Sequence, residues 1–223
     1  MNHDALILGN KDTIFKFDLE KLIQASMDQT NCDPIWSTFT RANPLGIAIL
    51  RQERALQPNI IFMVLCLEEG NYLTLFNSET GKILKEKCIT DMVHKPCGVA
   101  FTDENDLIVT ETSYGRDKIV ILSICGSIEE WKVKTVIGKS GDQDGEFKCP
   151  VSVVYDRASR NIIVSDMFRI QVFTKDGVFV KSFNDDLKNM ESELCLPTGM
   201  CLNELTGELF VCEHGNNAVH IFV

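Results

Sequence analysis

The chain has 223 residues, with 22 Lys+Arg against 32 Asp+Glu and a formal net charge of −10. That length suits one ordinary domain or at most two small ones, and 44% hydrophobic with 24% charged residues is a globular balance that excludes wholesale disorder. No apolar run reaches the roughly 18 residues of a membrane-spanning helix, and the acidic balance argues against a partner held through nucleic-acid phosphates.

In chain order, Met1-Asn2-His3-Asp4 is not a basic start leading into an apolar stretch, so no secretory signal is visible. Residues 5–18 read as the second and third strands of a unit whose first strand does not precede them. From Pro44 a repeat begins. Its first, weak copy runs through Pro44-Leu45-Gly46-Ile47-Ala48-Ile49, then 59–64, then 72–76. Three clearer copies follow, each opening on a proline: Pro96–Phe101 with 106–111 and 118–122, Pro150–Asp156 with 161–166 and 169–173, and Pro197–Leu202 with 208–213 and 218–222. The prolines are spaced by 52, 54 and 47 residues, and the acid closing the second run (Glu111, Asp166, Glu213) lies 15 or 16 residues after each of the last three. Residues 131–136 and 178–183 read as fourth strands, and no helix-length period of 3.6 is evident. Four antiparallel strands per unit, repeated radially, make an all-β propeller.

A single propeller domain spanning 1–223 is expected, its units running approximately 1–43, 44–90, 91–138, 139–184 and 185–223. The first unit lacks its inner strand and the last its outer strand. Either the ring closes by pairing these ends, or the chain is a piece of a longer propeller; the second is expected, because an unclosed ring leaves strand edges open.

The nine cysteines form no Cys-x-x-Cys pair and no short-spaced zinc set. They are read as reduced structural thiols in a cytoplasmic or nuclear chain, with Cys125, Cys201 and Cys212 acting as small hydrophobes.

The segment Gly138-Lys139-Ser140-Gly141-Asp142-Gln143-Asp144-Gly145-Glu146-Phe147-Lys148-Cys149-Pro150, followed by Val164-Ser165-Asp166 and Arg169-Ile170-Gln171-Val172-Phe173, resembles an NHL repeat. The likeness extends, with decreasing fidelity, over 195–223, 96–124 and 44–90. It departs from the family pattern at Ser152, where glycine is usual, at Thr110-Glu111 in place of Ala-Asp, and in keeping the arginine only at Arg169. It implies a propeller, usually six-bladed, like the NHL domain of TRIM-NHL type proteins. The implied role is a non-catalytic, substrate-recruiting interaction module of a ubiquitin-ligase-type protein.

Strand order puts the loops 9–12, 68–71, 111–117, 166–169 and 213–217 on one face, with the connections 41–44, 91–96, 138–150 and 184–197. These spans hold fifteen acids and eight bases, a net of −7, which suits a basic protein or peptide better than RNA. Candidate partner-binding residues on this face are Glu111, Tyr114, Arg116, Asp166, Phe168, Arg169, Glu213 and His214, although Phe168 is expected rather to pack under the neighbouring blade. The three acids are also expected to accept backbone N–H bonds in the turns that follow them. The lysines around 82–87 and at 132 and 134 read as the wet side of outer strands.

Single-stranded RNA binding is the first alternative. A metal-dependent lyase or hydrolase is the second and would need His94, His214 and an axial acid such as Glu111 or Asp166 to converge. Gly138-Lys139-Ser140 is no phosphate loop, because Val133 stands where the earlier glycine belongs. Asp142-Gln143-Asp144-Gly145 lacks the later ligands of a calcium loop. No catalytic residue, metal site or cofactor is expected, and the oligomeric state is left open.

Overall fold

The computed structural model describes residues 5–40, 43–51, 61–67, 72–183 and 194–223. The loop 68–71, residues 41–42 and 184–193 of the connecting loops, and His3 lie outside these residues.

Eighteen strands form five antiparallel sheets among the described residues. The first holds β1 (Ala5–Asn10), β2 (Thr13–Asp18) and β3 (Trp36–Phe39). The second holds β4 (Pro44–Arg51), β5 (Ile61–Leu67), β6 (Tyr72–Asn77) and β7 (Ile83–Thr90). The third runs through β8 (Pro96–Phe101), β9 (Leu107–Glu111), β10 (Lys118–Cys125) and β11 (Ser127–Ile137). The fourth has β12 (Pro150–Asp156), β13 (Asn161–Asp166), β14 (Arg169–Thr174) and β15 (Phe179–Phe183), and the fifth β16 (Pro197–Leu202), β17 (Leu209–Glu213) and β18 (Ala218–Phe222). Within every sheet, consecutive strands are neighbours.

The sheets are blades. The proline-headed strands β4, β8, β12 and β16 pack side by side along the inside, and an apolar layer fills each gap between sheets. Between blades three and four this layer includes Ile121, Phe147, Tyr155, Ile162 and Phe173, with the Phe147 and Phe173 rings 5.3 Å apart. Glycine allows the innermost strands to approach one another. A Cβ on Gly46 would stand 2.2 Å from the Cys97 carbonyl oxygen, and one on Gly98 2.6 Å from that of Val151. The register also shifts within the first residues of every inner strand, between Pro96 and Val99 and between Pro150 and Val153 for example, so the proline enters on a bulge.

Packing across the blades identifies the positions held by the strands of the first sheet. Ile137 of the outermost strand β11 sits over the β14–β15 turn, where a Cβ on Gly177 would be 2.8 Å away. Trp36 of β3 sits in the same way over the β6–β7 turn, at 2.5 Å from a Cβ on Gly81, and Thr38 donates to the Gly81 carbonyl at 2.7 Å. β3 is therefore an outermost strand, and β1 and β2 take the second and third positions, as the sequence suggested. The fifth blade shows the first three positions.

Two expectations are corrected. A nine-residue helix, α1 (Leu19–Met27), stands between β2 and β3 where only strands were expected. The Asp18 carboxylate caps it by accepting the Lys21 N–H at 3.1 Å, and only Ala25 is buried, so its apolar period spans too few turns to register. The eight cysteines described at side-chain level are free and not uniformly buried. Burial pushes the Cys88 thiol up to about 12 and raises Cys97 and Cys149, yet Cys201 on β16 and Cys212 on β17 are exposed.

Candidate interaction face

The second-to-third-strand loops and the blade entries share one face, and an internal clasp repeated in three blades organises it. Glu111, Asp166 and Glu213 end the second strands of blades three, four and five and are 0%, 1% and 3% exposed. Each accepts a backbone N–H two residues before the blade's entry proline: His94 to Glu111 at 3.0 Å, Lys148 to Asp166 at 2.6 Å, and Cys195 to Glu213 at 2.5 Å. The donors thus come from the loop entering the blade, not from the turn that follows the acid. A hydroxyl one residue earlier completes the clasp in two blades. Thr110 Oγ1 accepts from the Gly98 N–H at 2.8 Å, and Ser165 Oγ from Ser152 at 2.9 Å. Thr110-Glu111 and Ser165-Asp166 are therefore one device, whose signal in the sequence is the hydroxyl–acid pair itself.

The electrostatics of the three acids differ. Burial raises Asp166 to about 6, against the Lys148 N–H, the Arg169 guanidinium and Gln171 that favour its anion. Burial likewise raises Glu111, opposed by the His94 N–H and by Lys118 at 3.4 Å. For Glu213 burial also pushes upward, but the combined donation of Cys195, His220 and Asn216 holds it below the ordinary glutamate value.

Arg169 is 7% exposed. Its guanidinium meets Asp166 at 3.1 Å and donates to the carbonyls of Asp142, Gln143 and Glu146, while Gln171 bonds the Gly145 N–H and the Glu146 carbonyl. The pair staples the loop 138–149 to the fourth blade. Glu111, Asp166, Glu213 and Arg169 accordingly hold the face together from beneath.

The residues that reach solvent are different ones. Tyr114 is 105% exposed beside Gly115, whose φ is +73°. Arg116 and His214 are exposed. Phe168, expected to pack under the next blade, is 46% exposed, because the buried Arg169 and the left-handed Met167 (φ 38°) turn the tip of the β13–β14 loop outward. At the junction of blades four and five a pocket of about 270 Å³ opens on this face. Its walls are Cys149 and Val151 from blade four, Met167 from the loop tip, and Leu196, Thr198 and His214 from blade five, and they are almost wholly apolar.

The acidic character expected of this face is not what the described residues present. Glu111, Asp117, Asp166 and Glu213 are buried. What remains at the surface of the described loops is five acids (Asp12, Asp91, Asp142, Asp144, Glu146) against five bases (Lys11, Lys95, Arg116, Lys139, Lys148). Two of these pairs meet directly, Lys139 with Glu146 at 3.2 Å and Lys148 with Asp142 at 3.1 Å. Counting residues by loop had assigned buried carboxylates to the surface. Among the described residues no group of three or more His, Cys, Asp or Glu could hold a metal ion. No helix among them is long and apolar enough to cross a membrane.

No protein-family profile matches the sequence, and no curated protein is similar to it in sequence. Solved structures are similar in fold. One is a protein of unknown function from Bacteroides caccae, at TM-score 0.61 and 9% identity over 100% of this chain and 69% of that one. The crystal structure of a nidogen/laminin complex matches at TM-score 0.64 and 13% identity, over 98% of this chain and 73% of that one. The β-propeller domain of Cps50 (Swd1) from Myceliophteria thermophila matches at 0.58 and 14%, over 99% and 62%. With its radial antiparallel blades and these neighbours, the chain is an all-β propeller.

Proposed function

We propose that the chain is a non-catalytic protein-interaction module that engages its partner through the loop face at the junction of blades four and five. The observation that carries this reading is the apolar pocket walled by Met167, Leu196 and His214, with Phe168 exposed beside it and Tyr114 on the same face. Apolar and aromatic anchors next to a concavity are the usual carriers of binding energy at protein interfaces. The NHL resemblance extends the reading to recruitment of a substrate by a ubiquitin-ligase-type assembly in the cytoplasm, where free thiols stay reduced. The balanced charge of the described loops favours recognition by apolar contact there and offers no cationic excess for RNA phosphates, while the acids at 68, 69, 185, 186, 191 and 193 keep a basic peptide as the second reading.

The test is a binding comparison between the wild-type chain and the Phe168→Ala/Leu196→Ala double variant, using a partner first captured by the wild type and then purified. We expect at least a tenfold loss of affinity with an unchanged melting temperature. Equal binding by the two proteins would move the interaction to another face.

A further inference from the structure

Hydroxyls at the end of the second strand lace blade three to blade four. Thr112 Oγ1 donates to the Pro150 carbonyl at 2.7 Å, and Thr110 Oγ1 to the Val151 carbonyl at 3.3 Å. One blade on, Met167 follows the closing acid where Thr112 did, and Pro197 heads the next inner strand where Pro150 did. A thioether has no proton to donate, so the hydroxyl tie is missing from the junction of blades four and five. The pocket of about 270 Å³ opens at that place, with Met167, Pro197 and Thr198 among its walls. Its backbone is also strained. Met167 is left-handed at φ 38°, whereas Thr112 is not. The turn from Asp166 to Arg169 has two central residues, a place where asparagine or glycine meets a positive φ at least cost. Methionine stands there instead, so its side chain lines the pocket at a cost in strain, as happens where a chain shapes a binding site.

Building on the reading of this junction as the partner face, we infer that the pocket receives the indole of a tryptophan side chain carried by the partner polypeptide. Its volume admits one large side chain and falls below the roughly 300 Å³ at which pockets begin to hold whole small-molecule ligands. Its walls suit a ring. The Met167 thioether is a favourable neighbour for an aromatic edge, and His214 presents a flat imidazole. The Pro197 carbonyl sets the polar requirement, because its counterpart Pro150 takes a hydroxyl proton from Thr112. An indole donates one N–H and accepts nothing, so a single carbonyl satisfies it in an otherwise apolar site. An aliphatic side chain would fill the space and bring no donor. The indole N–H therefore takes over the part that the Thr112 hydroxyl plays one blade earlier, and the partner completes the junction.

The probe is N-acetyl-L-tryptophanamide, titrated into the full 223-residue chain with its methionine methyls labelled with carbon-13. The Met167 methyl, assigned by its loss in Met167→Leu, should shift saturably as the indole enters. N-acetyl-1-methyl-L-tryptophanamide, which lacks the N–H, should bind about tenfold more weakly, and N-acetyl-L-leucinamide should not saturate. Met167→Thr returns a hydroxyl to the junction. It should weaken the probe by about tenfold, read by saturation transfer to the probe's own protons, with no fall in melting temperature. The proposal is overturned if the Met167 methyl does not respond, or if the methylated probe or the leucinamide binds as well as the tryptophanamide, which would mark plain apolar adhesion. Free indole binding about tenfold more tightly than the tryptophanamide would give the pocket to a small molecule and overturn it too. The interaction face stands or falls separately. A captured partner that is lost by Phe168→Ala/Leu196→Ala while the probes fail to bind would keep the face and remove the indole.

Discussion

The interface between blades two and three and the one between blades one and two are made of the same parts, yet only the first is sealed. At the former, Ala48 and Leu50 of β4 lie against Val99 and Phe101 of β8, and all four are at most 7% exposed. At the latter, Ile14, Trp36 and Phe76 pack together, while Leu45 and Ile49 on β4 stay 49% and 42% exposed. The strand sequences hardly differ: Pro44-Leu45-Gly46-Ile47-Ala48-Ile49 is as apolar as Pro96-Cys97-Gly98-Val99-Ala100-Phe101. Burial in a propeller is a property of the neighbouring blade, so identical residues are core in one blade and surface in another.

The sharpest way to break this comparison is truncation. Phe101→Ala should cost about 3–5 kcal/mol, the range for emptying a sealed aromatic site, and Ile49→Ala about 1 kcal/mol, because half of its side chain already meets water. Chemical denaturation of both variants checks it, and equal costs would show that the second blade is sealed in solution.

A second prediction concerns pH and the sealed fourth blade. Burial lifts folded Asp166 from the usual 3.8 to about 6, so the folded state favours the protonated acid. That contribution is complete below the unfolded value, near pH 4, and is lost as pH rises through about 6. Wild-type stability should therefore fall by about 2 kcal/mol more than that of Asp166→Asn between pH 4 and pH 7. Denaturation curves for the two proteins at both pH values measure the difference, and parallel profiles would refute it.

Smaller effects separate the closed and open blades at glycine. Gly98→Ala places a Cβ against the backbone of β12 and should cost about 1–3 kcal/mol. Gly199→Ala meets nothing nearer than Cys212 at 3.9 Å and should change the melting temperature by no more than a degree or two, about 0.5 kcal/mol. Smallest of all, Tyr114→Ala should leave the thermal melt unchanged, since the ring is fully exposed.

Much of the fold was legible in the sequence because its signals are local. Entry prolines, closing acids and alternating apolar runs each report on a few adjacent residues, and together they located most of the strands. The helix Leu19–Met27 was not legible, since two turns with one buried residue leave almost no period. The candidate site was legible only in outline. Tyr114, Arg116, Phe168 and His214 could be assigned to a loop face from strand order, but the pocket joins Cys149, Met167 and Leu196, which no spacing rule connects.

By itself, then, the sequence determined the blade: a proline-headed inner strand, an acid ending the second strand, and glycine where the backbones of blades two and three meet their neighbours. These are short-range matters of φ, hydrogen-bonding valence and side-chain volume. Only the tertiary structure decided which of those residues face water. Glu111, Asp166 and Glu213 read as surface acids in a loop, but each lies beneath an entry loop whose N–H groups it satisfies. Charge at a surface depends on what covers each carboxylate, and cover is supplied by chain segments far away in sequence.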